Sequence, residues 1–312
     1  MGESAVRVKV GRRGPRQEDR SRGFWRFFAL PGVTWMLLFA ALPMYAIIAV
    51  ATGQVDELNR PLPAWDPLDW NVGYLLNALR GAFPGGGFWP SIRNTFAYVG
   101  AALFLCFLIG YPTAYYIAKY AKRSKALMLA LVAGPLFISY MLRLLAWIGL
   151  LSTDGYVNTA LRSVGWSHPP DWLSGNAYSV VLALTYGYIP YFILPLYAGL
   201  DRIDQNLIEA ARDLGASPLR TFVRVILPLS RSSLLASSAL VVLPMFGDYY
   251  TNDLISASPK TSMLGNQINL FFQGGPQQNL GASIVIVMMA ILSVALIYYV
   301  RATAREQRTA RS

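Results

Sequence analysis

The sequence predicts an all-α membrane protein with six transmembrane helices. Apolar residues make up 54% of the 312 residues and charged residues only 14%, against about 25% charged in a typical soluble domain. Six stretches reach the length of about 20 apolar residues that a bilayer-spanning helix requires. The basic residues, which give a net charge of +11, concentrate on alternate connections between these stretches, as expected when one set of loops faces the cytoplasm.

The six predicted spans are 28–51, 95–118, 126–151, 177–200, 231–250 and 280–300. The fifth is the most polar, because it contains four serines, and prolines such as Pro112 and Pro190 fall inside other spans. Membrane helices tolerate proline where neighbouring helices satisfy the freed backbone groups. We therefore expect a packed bundle rather than isolated helices.

The positions of Lys and Arg predict the orientation of the chain. With the N-terminus inside, 21 of the 27 basic residues fall on inner segments and five on outer loops. By the positive-inside rule both termini are cytoplasmic. This divides the chain into a tail at 1–27 that is partly disordered as far as about Ser21, a membrane domain at 28–300 and a second tail at 301–312. The basic residues then serve as topology signals at the membrane lipid, and no nucleic-acid partner is expected.

The connection between the fourth and fifth spans contains signals for two short helices. The first runs from about Asp204 to Leu214, and Gly215 follows where a helix C-cap needs positive φ. Ser217 and Pro218 form an N-cap and a first helical residue for the second. Such a stiff bracket, continuous with the fifth span, could transmit force to it. The alternative is an ordinary amphipathic loop that rests on the membrane.

The same connection contains the pattern Glu-Ala-Ala, three residues, Gly, nine residues, Ile-x-Leu-Pro. The matching residues are Glu209, Ala210, Ala211, Gly215, Val225, Leu227 and Pro228. Only Val225 departs from the pattern, and it keeps the branched shape of Ile. With this motif the chain resembles the type I permease subunits of binding-protein-dependent ABC importers. In that family the connection, here 201–229, is a cytoplasmic coupling-helix loop that sits in a cleft of the ATPase.

The resemblance is greatest to the spermidine/putrescine permeases, through the segments 143–147, 155–158 and 263–268. Opine, iron and phosphonate permeases share the general pattern of these segments. A polyamine substrate is therefore the leading expectation, and another small solute is the alternative.

The resemblance implies a non-catalytic subunit of the bacterial inner membrane. It binds no cofactor, and ATP and Mg belong to a partner ATPase dimer. A second homologous permease and an extracytoplasmic solute-binding protein complete the expected assembly. The residues expected to couple this chain to the ATPase are Glu209, Ala210, Ala211, Gly215, Arg220, Leu227 and Pro228.

Ionisable side chains within the spans are candidates for the substrate pathway. Arg143 and Asp248 both fall near the outer ends of their spans, and they could pair with each other. Asp248, Tyr249 and Tyr250 supply a carboxylate and aromatic faces for a cationic substrate, and Asp253 and Trp147 could contribute nearby. The alternatives are a structural role for the two charged residues and an interfacial role for the tyrosines.

Two other functional classes require residues that the sequence does not provide. A stand-alone secondary transporter or channel needs coupling carboxylates at mid-membrane, and no predicted span has one at its centre. A membrane enzyme needs a catalytic cluster, whereas His168 is the single histidine and Cys106 the single cysteine. The sequence also lacks a Gly-x4-Gly-Lys-Ser/Thr loop that would hold ATP phosphates.

Overall fold

The computed structural model describes residues 15–57, 60–273 and 277–309. This part of the chain is largely helical, and its two short strands, Gln54–Val55 and Pro61–Leu62, form one antiparallel ribbon. Helix α1 begins at Pro15 and ends at Thr52. Residues 15–21 are thus helical where disorder was expected, because good helix formers extend the helix of the first span toward the N-terminus. The rest of the tail, residues 1–14, lies outside the described residues.

The remaining helices follow in chain order. They are α2 (Gly73–Gly81), α3 (Trp89–Leu105), α4 (Tyr111–Lys119), α5 (Lys125–Ala133), α6 (Tyr140–Leu151), α7 (Tyr156–Ser163), α8 (Ala177–Asp201), α9 (Gln205–Asp213), α10 (Pro218–Thr221), α11 (Leu227–Leu229), α12 (Arg231–Phe246), α13 (Tyr250–Ile255), α14 (Leu264–Gln273) and α15 (Gln278–Thr309). Two π-helical segments, Cys106–Gly110 and Phe222–Ile226, join α3 to α4 and α10 to α11. Short 3-10 turns occur at Pro67–Asp69, Gly134–Phe137 and Pro259–Thr261.

Three helical stretches of the described chain are long and apolar enough to cross a membrane. They are Phe28–Thr52, Trp89–Lys119 and Ala177–Asp201. Two bent pairs raise the number to five if each pair is one span: Lys125–Phe137 with Tyr140–Ser163, and Pro218–Leu229 with Arg231–Phe246. Three of the predicted spans therefore correspond to unbroken helices of sufficient length and hydropathy, and the predicted total of six stays a prediction.

The third predicted span is a broken helix in the structure. Its two parts meet at an angle of 95°. The break occurs at the 3-10 turn Gly134–Phe137, where Pro135 has no N–H to donate to the preceding turn of helix. Ile138 is then extended, and α6 restarts at Tyr140.

Helix α8 is the centre of the bundle and packs against α3, α4 and α12. In the most apolar 18-residue stretch of α8, 61% of the residues are buried, compared with 6% in the corresponding stretch of α1. The side chains that α8 contributes to the main core include Val180, Leu184, Phe192, Ile193, Leu196 and Leu200. Because α8 runs directly into the connection that contains the Glu-Ala-Ala motif, this central helix holds that connection against the bundle.

Candidate functional site

Residues 201–229, which we call the Glu209 loop, adopt the two-helix bracket that the sequence predicts. The Asp204 carboxylate caps α9 by accepting a hydrogen bond from the Asn206 N–H at 3.0 Å. Gly215 has a φ of +80°, a left-handed conformation that suits glycine. The Ser217 hydroxyl caps α10 by accepting from the Arg220 N–H at 3.4 Å. The Gly215 turn and the Ser217 cap confirm the predicted local signals, and the Asp204 cap lies at the predicted start of the first helix.

The Glu209 loop turns apolar side chains outward. Leu214 is 89% exposed and Leu219 is 71% exposed, although both are large and apolar. The residue that α9 buries in the main core is Ile208, which is 1% exposed. The apolar positions of α9 at helical spacing, which are Leu207, Ala210, Ala211 and Leu214, are exposed or half-buried. This face of the helix is therefore open rather than packed, whereas Ile208 enters the core. An exposed apolar surface of this kind is typical of a docking site.

The seven residues predicted to couple this chain to the ATPase share this open surface. Two of them are half-buried, and the others are exposed on the outside of the bracket. The half-buried residues are Ala211 and Leu227, and the exposed ones are Glu209, Ala210, Gly215, Arg220 and Pro228. The structure thus brings the predicted coupling residues together on one loop and leaves most of them free of the bundle.

Several contacts tie the Glu209 loop to the bundle. Helix α12 begins after a 70° bend at Ser230, whose buried hydroxyl is 2.7 Å from the Tyr111 hydroxyl of α4. The edge of the Phe222 ring contacts the Tyr111 ring, with 5.3 Å between centroids. Near the start of the loop, the Lys119 ammonium donates to the Ile203 carbonyl at 2.5 Å. The loop is therefore in direct contact with α4 and continuous with α12.

Arg212 carries a positive charge on the exposed side of α9. Its guanidinium donates to the Tyr120 hydroxyl at 3.5 Å. This hydrogen bond, with a smaller contribution from the charge of Glu209, raises the pKa of Arg212 above its ordinary value. The loop therefore presents a fixed cation beside the Glu209 carboxylate.

A second cluster of polar residues surrounds Asp248, where the end of α12 meets α6 and α8. Asp248 is only 6% exposed. Its carboxylate accepts hydrogen bonds from the hydroxyls of Tyr140 at 2.8 Å, Tyr188 at 3.1 Å and Thr251 at 2.7 Å. It also accepts from the Thr251 N–H at 3.0 Å. Three of these donors reach Oδ2 and the Thr251 N–H reaches Oδ1, so neutral donors of the protein hold this buried carboxylate in place.

Arg143 belongs to the same cluster but does not pair with Asp248. It is 6% exposed, donates to the Gly187 carbonyl at 3.4 Å and lies 5.3 Å from the centre of the Tyr140 ring. Tyr140 therefore bridges the two charged residues, with its ring toward Arg143 and its hydroxyl on Asp248. Gly187 makes room for it, because a Cβ there would lie 2.4 Å from a Tyr140 ring carbon. The prediction that Arg143 and Asp248 form an ion pair is therefore wrong, because Tyr140 bridges the two side chains.

The other candidates for the substrate pathway form separate aromatic pairs. Trp147 is half-buried against Tyr186, with 5.2 Å between ring centroids. Tyr249 and Tyr250 stack on each other at 4.1 Å. The sequence interpretation missed the residues that do bind Asp248, which are Tyr140, Tyr188 and Thr251. Tyr140 and Tyr188 lie inside apolar segments. A tyrosine hydroxyl in such a segment usually needs a hydrogen-bond partner, and this need could have indicated a buried polar cluster.

The Glu209 loop and the Asp248 cluster both lie within one region of family similarity. Residues 106–309 match the family described as "Binding-protein-dependent transport system inner membrane component". The chain belongs to this family. Membership makes it a permease component of a binding-protein-dependent transport system of the inner membrane, as the motif predicted, and the helices described above are apolar enough for that location.

Individual relatives of this family cover most of the chain. The spermidine/putrescine transport system permease protein PotB of Escherichia coli (strain K12) is 31% identical over 280 residues, which cover 87% of this chain and 94% of the relative. The protein of the same name from Haemophilus influenzae is 30% identical, with 86% and 90% covered. These matches confirm the resemblance to spermidine/putrescine permeases that the sequence segments suggested.

Solved structures share the fold of this family member. A chain of the bacterial alginate ABC transporter in complex with an alginate pentasaccharide-bound periplasmic protein has a TM-score of 0.69 and 18% identity. The similarity covers 94% of this chain and 97% of that one. At this level of identity the comparison establishes an ABC importer permease fold.

Proposed function

We propose that this chain is the permease subunit of an ATP-driven importer of polyamines such as spermidine and putrescine. It works with a second permease, a pair of ATPase subunits that hold ATP and Mg, and an extracytoplasmic solute-binding protein. Substrate moves by alternating access as the ATPases close and reopen. The observation that carries the substrate class is the 31% identity to PotB of Escherichia coli over 87% of this chain.

Uptake of radiolabelled spermidine tests this proposal. We expect cells that lack their own polyamine uptake to accumulate spermidine when they express this chain with its partner permease, ATPase and binding protein. Cells that express the same set without this chain provide the control. Import of a different solute without spermidine uptake would support the importer function but reject polyamines as the substrate.

The Glu209 loop is proposed as the contact with the ATPase. Exposed Leu214 and Leu219 supply apolar anchors, and the Glu209 carboxylate beside Arg212 supplies charge. The Tyr111–Ser230 contact at the bend supports a mechanical role, because it links the loop to α4 and α12. Closure of the ATPases would thus move two membrane helices through one bracket.

The six-span topology with cytoplasmic termini is part of the proposal. Cys106, the single cysteine of the chain, is buried, so cysteines introduced at exposed positions can be labelled selectively. In intact cells a membrane-impermeant thiol reagent should label Asp171→Cys and leave Asp213→Cys unlabelled until the cells are opened. The reverse pattern, or equal labelling of both, would reject this orientation.

A further inference from the structure

A cleft of about 620 Å³ opens beside α13 and α14, apart from the Asp248 cluster. Its lining is rich in side-chain amides and contains one carboxylate. The lining residues with amide or carboxylate side chains are Asn252, Asp253, Asn266, Gln267, Asn269 and Gln273, and Ser258 and Ser262 add hydroxyls. Among the described residues that line this amide cleft, Asp253 carries the only charge. A concave site with one carboxylate and several amide oxygens suits a ligand that is cationic and donates hydrogen bonds.

Asp253 is held in place by neutral donors. The Asn266 amide donates to one carboxylate oxygen at 2.7 Å, and the Asn269 amide donates to the other at 3.3 Å. Asp253 remains exposed, and in the described chain neither ion pair involves it. Its negative charge is therefore oriented but not neutralised, and it is exposed, whereas the carboxylate of Asp248 is buried and accepts four hydrogen bonds.

Asn252 provides a further unused acceptor in the wall of the amide cleft. Its side chain is 3% exposed, and its carbonyl oxygen has no hydrogen-bond partner among the described residues. A buried polar atom without a partner is costly. A donor from a ligand that reached this oxygen would offset that cost.

The amide cleft is also connected to the Asp248 cluster. The Asn266 amide that orients Asp253 also donates to the Tyr249 carbonyl at 2.9 Å, one residue after Asp248. The backbone at Gly265 approaches the Asp248 carbonyl so closely that an added Cβ would lie 2.7 Å from that oxygen. Asn266 therefore links Asp253 in the cleft to the segment that follows α12.

We propose that the amide cleft binds a primary ammonium group of the substrate, with Asp253 as its charge partner. This inference rests on the proposed polyamine function for the identity of the substrate, and it makes Asp253 rather than Asp248 the carboxylate that recognises it. Amide oxygens around the cleft complete the acceptors that the three N–H bonds of an ammonium group require. Binding here would precede movement past the Asp248 cluster.

Charge-dependent labelling tests the cleft independently of transport. Gln273 is exposed and lines the cleft, so Gln273→Cys can be reacted in the assembled transporter with a cationic and an anionic methanethiosulfonate of similar size. Because Asp253 is negatively charged, we expect the cationic reagent to react faster than the anionic one. Asp253→Asn should lower the ratio of the cationic to the anionic reaction rate about fivefold. Spermidine and 1,3-diaminopropane should slow both reactions. Asp171→Asn, at an exposed acidic residue elsewhere, is the matched control.

The uptake assay supplies a second measurement. Asp253→Asn should raise the KM for spermidine about fivefold or more and change the maximal rate little, whereas Asp171→Asn should change neither. An unchanged labelling ratio together with no protection by either amine would overturn the inference. A different result would separate the two proposals. If Asp253→Asn lowers the labelling ratio and 1,3-diaminopropane slows labelling, but the wild-type transporter imports no polyamine, the cation site is supported and the polyamine substrate is rejected.

Discussion

Glu209→Lys should lower uptake by the assembled transporter at least about tenfold while the chain stays in the membrane in normal amounts. Glu209 is exposed and its carboxylate is not needed for the fold of α9, whose ends are capped by other residues. The substitution puts a second cation beside Arg212 on the surface proposed for the ATPase. Loss of a charge partner in an interface costs about 2–5 kcal/mol, and about 1.4 kcal/mol already corresponds to tenfold in affinity.

Co-purification of the ATPase with the permease provides the direct measurement. Glu209→Lys should release the ATPase, whereas Asp171→Lys, which makes the same change of charge away from the loop, should retain it. Wild-type uptake and normal ATPase retention in Glu209→Lys would refute the coupling role of this loop.

Asp248→Ala should impair the transporter through its structure rather than through substrate affinity. The substitution removes the shared acceptor of Tyr140, Tyr188 and Thr251 in a buried cluster, and each unsatisfied buried donor costs about 1–3 kcal/mol. We expect the unfolding temperature of the solubilised protein to fall by several degrees. The maximal uptake rate should fall at least about tenfold, with the KM for spermidine changed by less than about twofold.

Asp248→Asn separates this structural role from a role in binding. The amide keeps the shape and one acceptor oxygen but brings donors toward the tyrosine hydroxyls, so its effect on the maximal rate should be intermediate. A large rise in KM for either variant, without a change in unfolding temperature, would instead place Asp248 in direct contact with the cationic substrate, as the sequence alone suggested.

The parts of the site that sequence predicts well are those set by local interactions. Asp204, Gly215 and Ser217 fix the two caps and the turn of the Glu209 loop through neighbours a few residues away. The same local chemistry makes Pro135 a point where a helix can break, although the length of the apolar stretch favoured one continuous span. The direction in which α9 faces was less predictable, since it depends on how Ile208 meets the bundle.

The Asp248 cluster could not be predicted from sequence because its members come together only in the folded bundle. Tyr140 and Tyr188 are separated from Asp248 by 108 and 60 residues. Periodicity indicates which residues share a helix face, but it does not tell which helices are neighbours. The expected pairing of Arg143 with Asp248 followed from equal depth in the membrane, and Tyr140 lies between them instead.

The π-helical segment Phe222–Ile226 also restricts how this protein can vary in length. Each residue turns an α-helix by about 100°, so inserting or deleting one residue here would rotate Leu219 around the axis relative to Ser230. The exposed anchor and the contact with Tyr111 would then no longer be presented together. Amino-acid substitutions between Gly215 and Val225 can therefore be accommodated far more readily than an insertion or deletion that changes the nine-residue spacing between them.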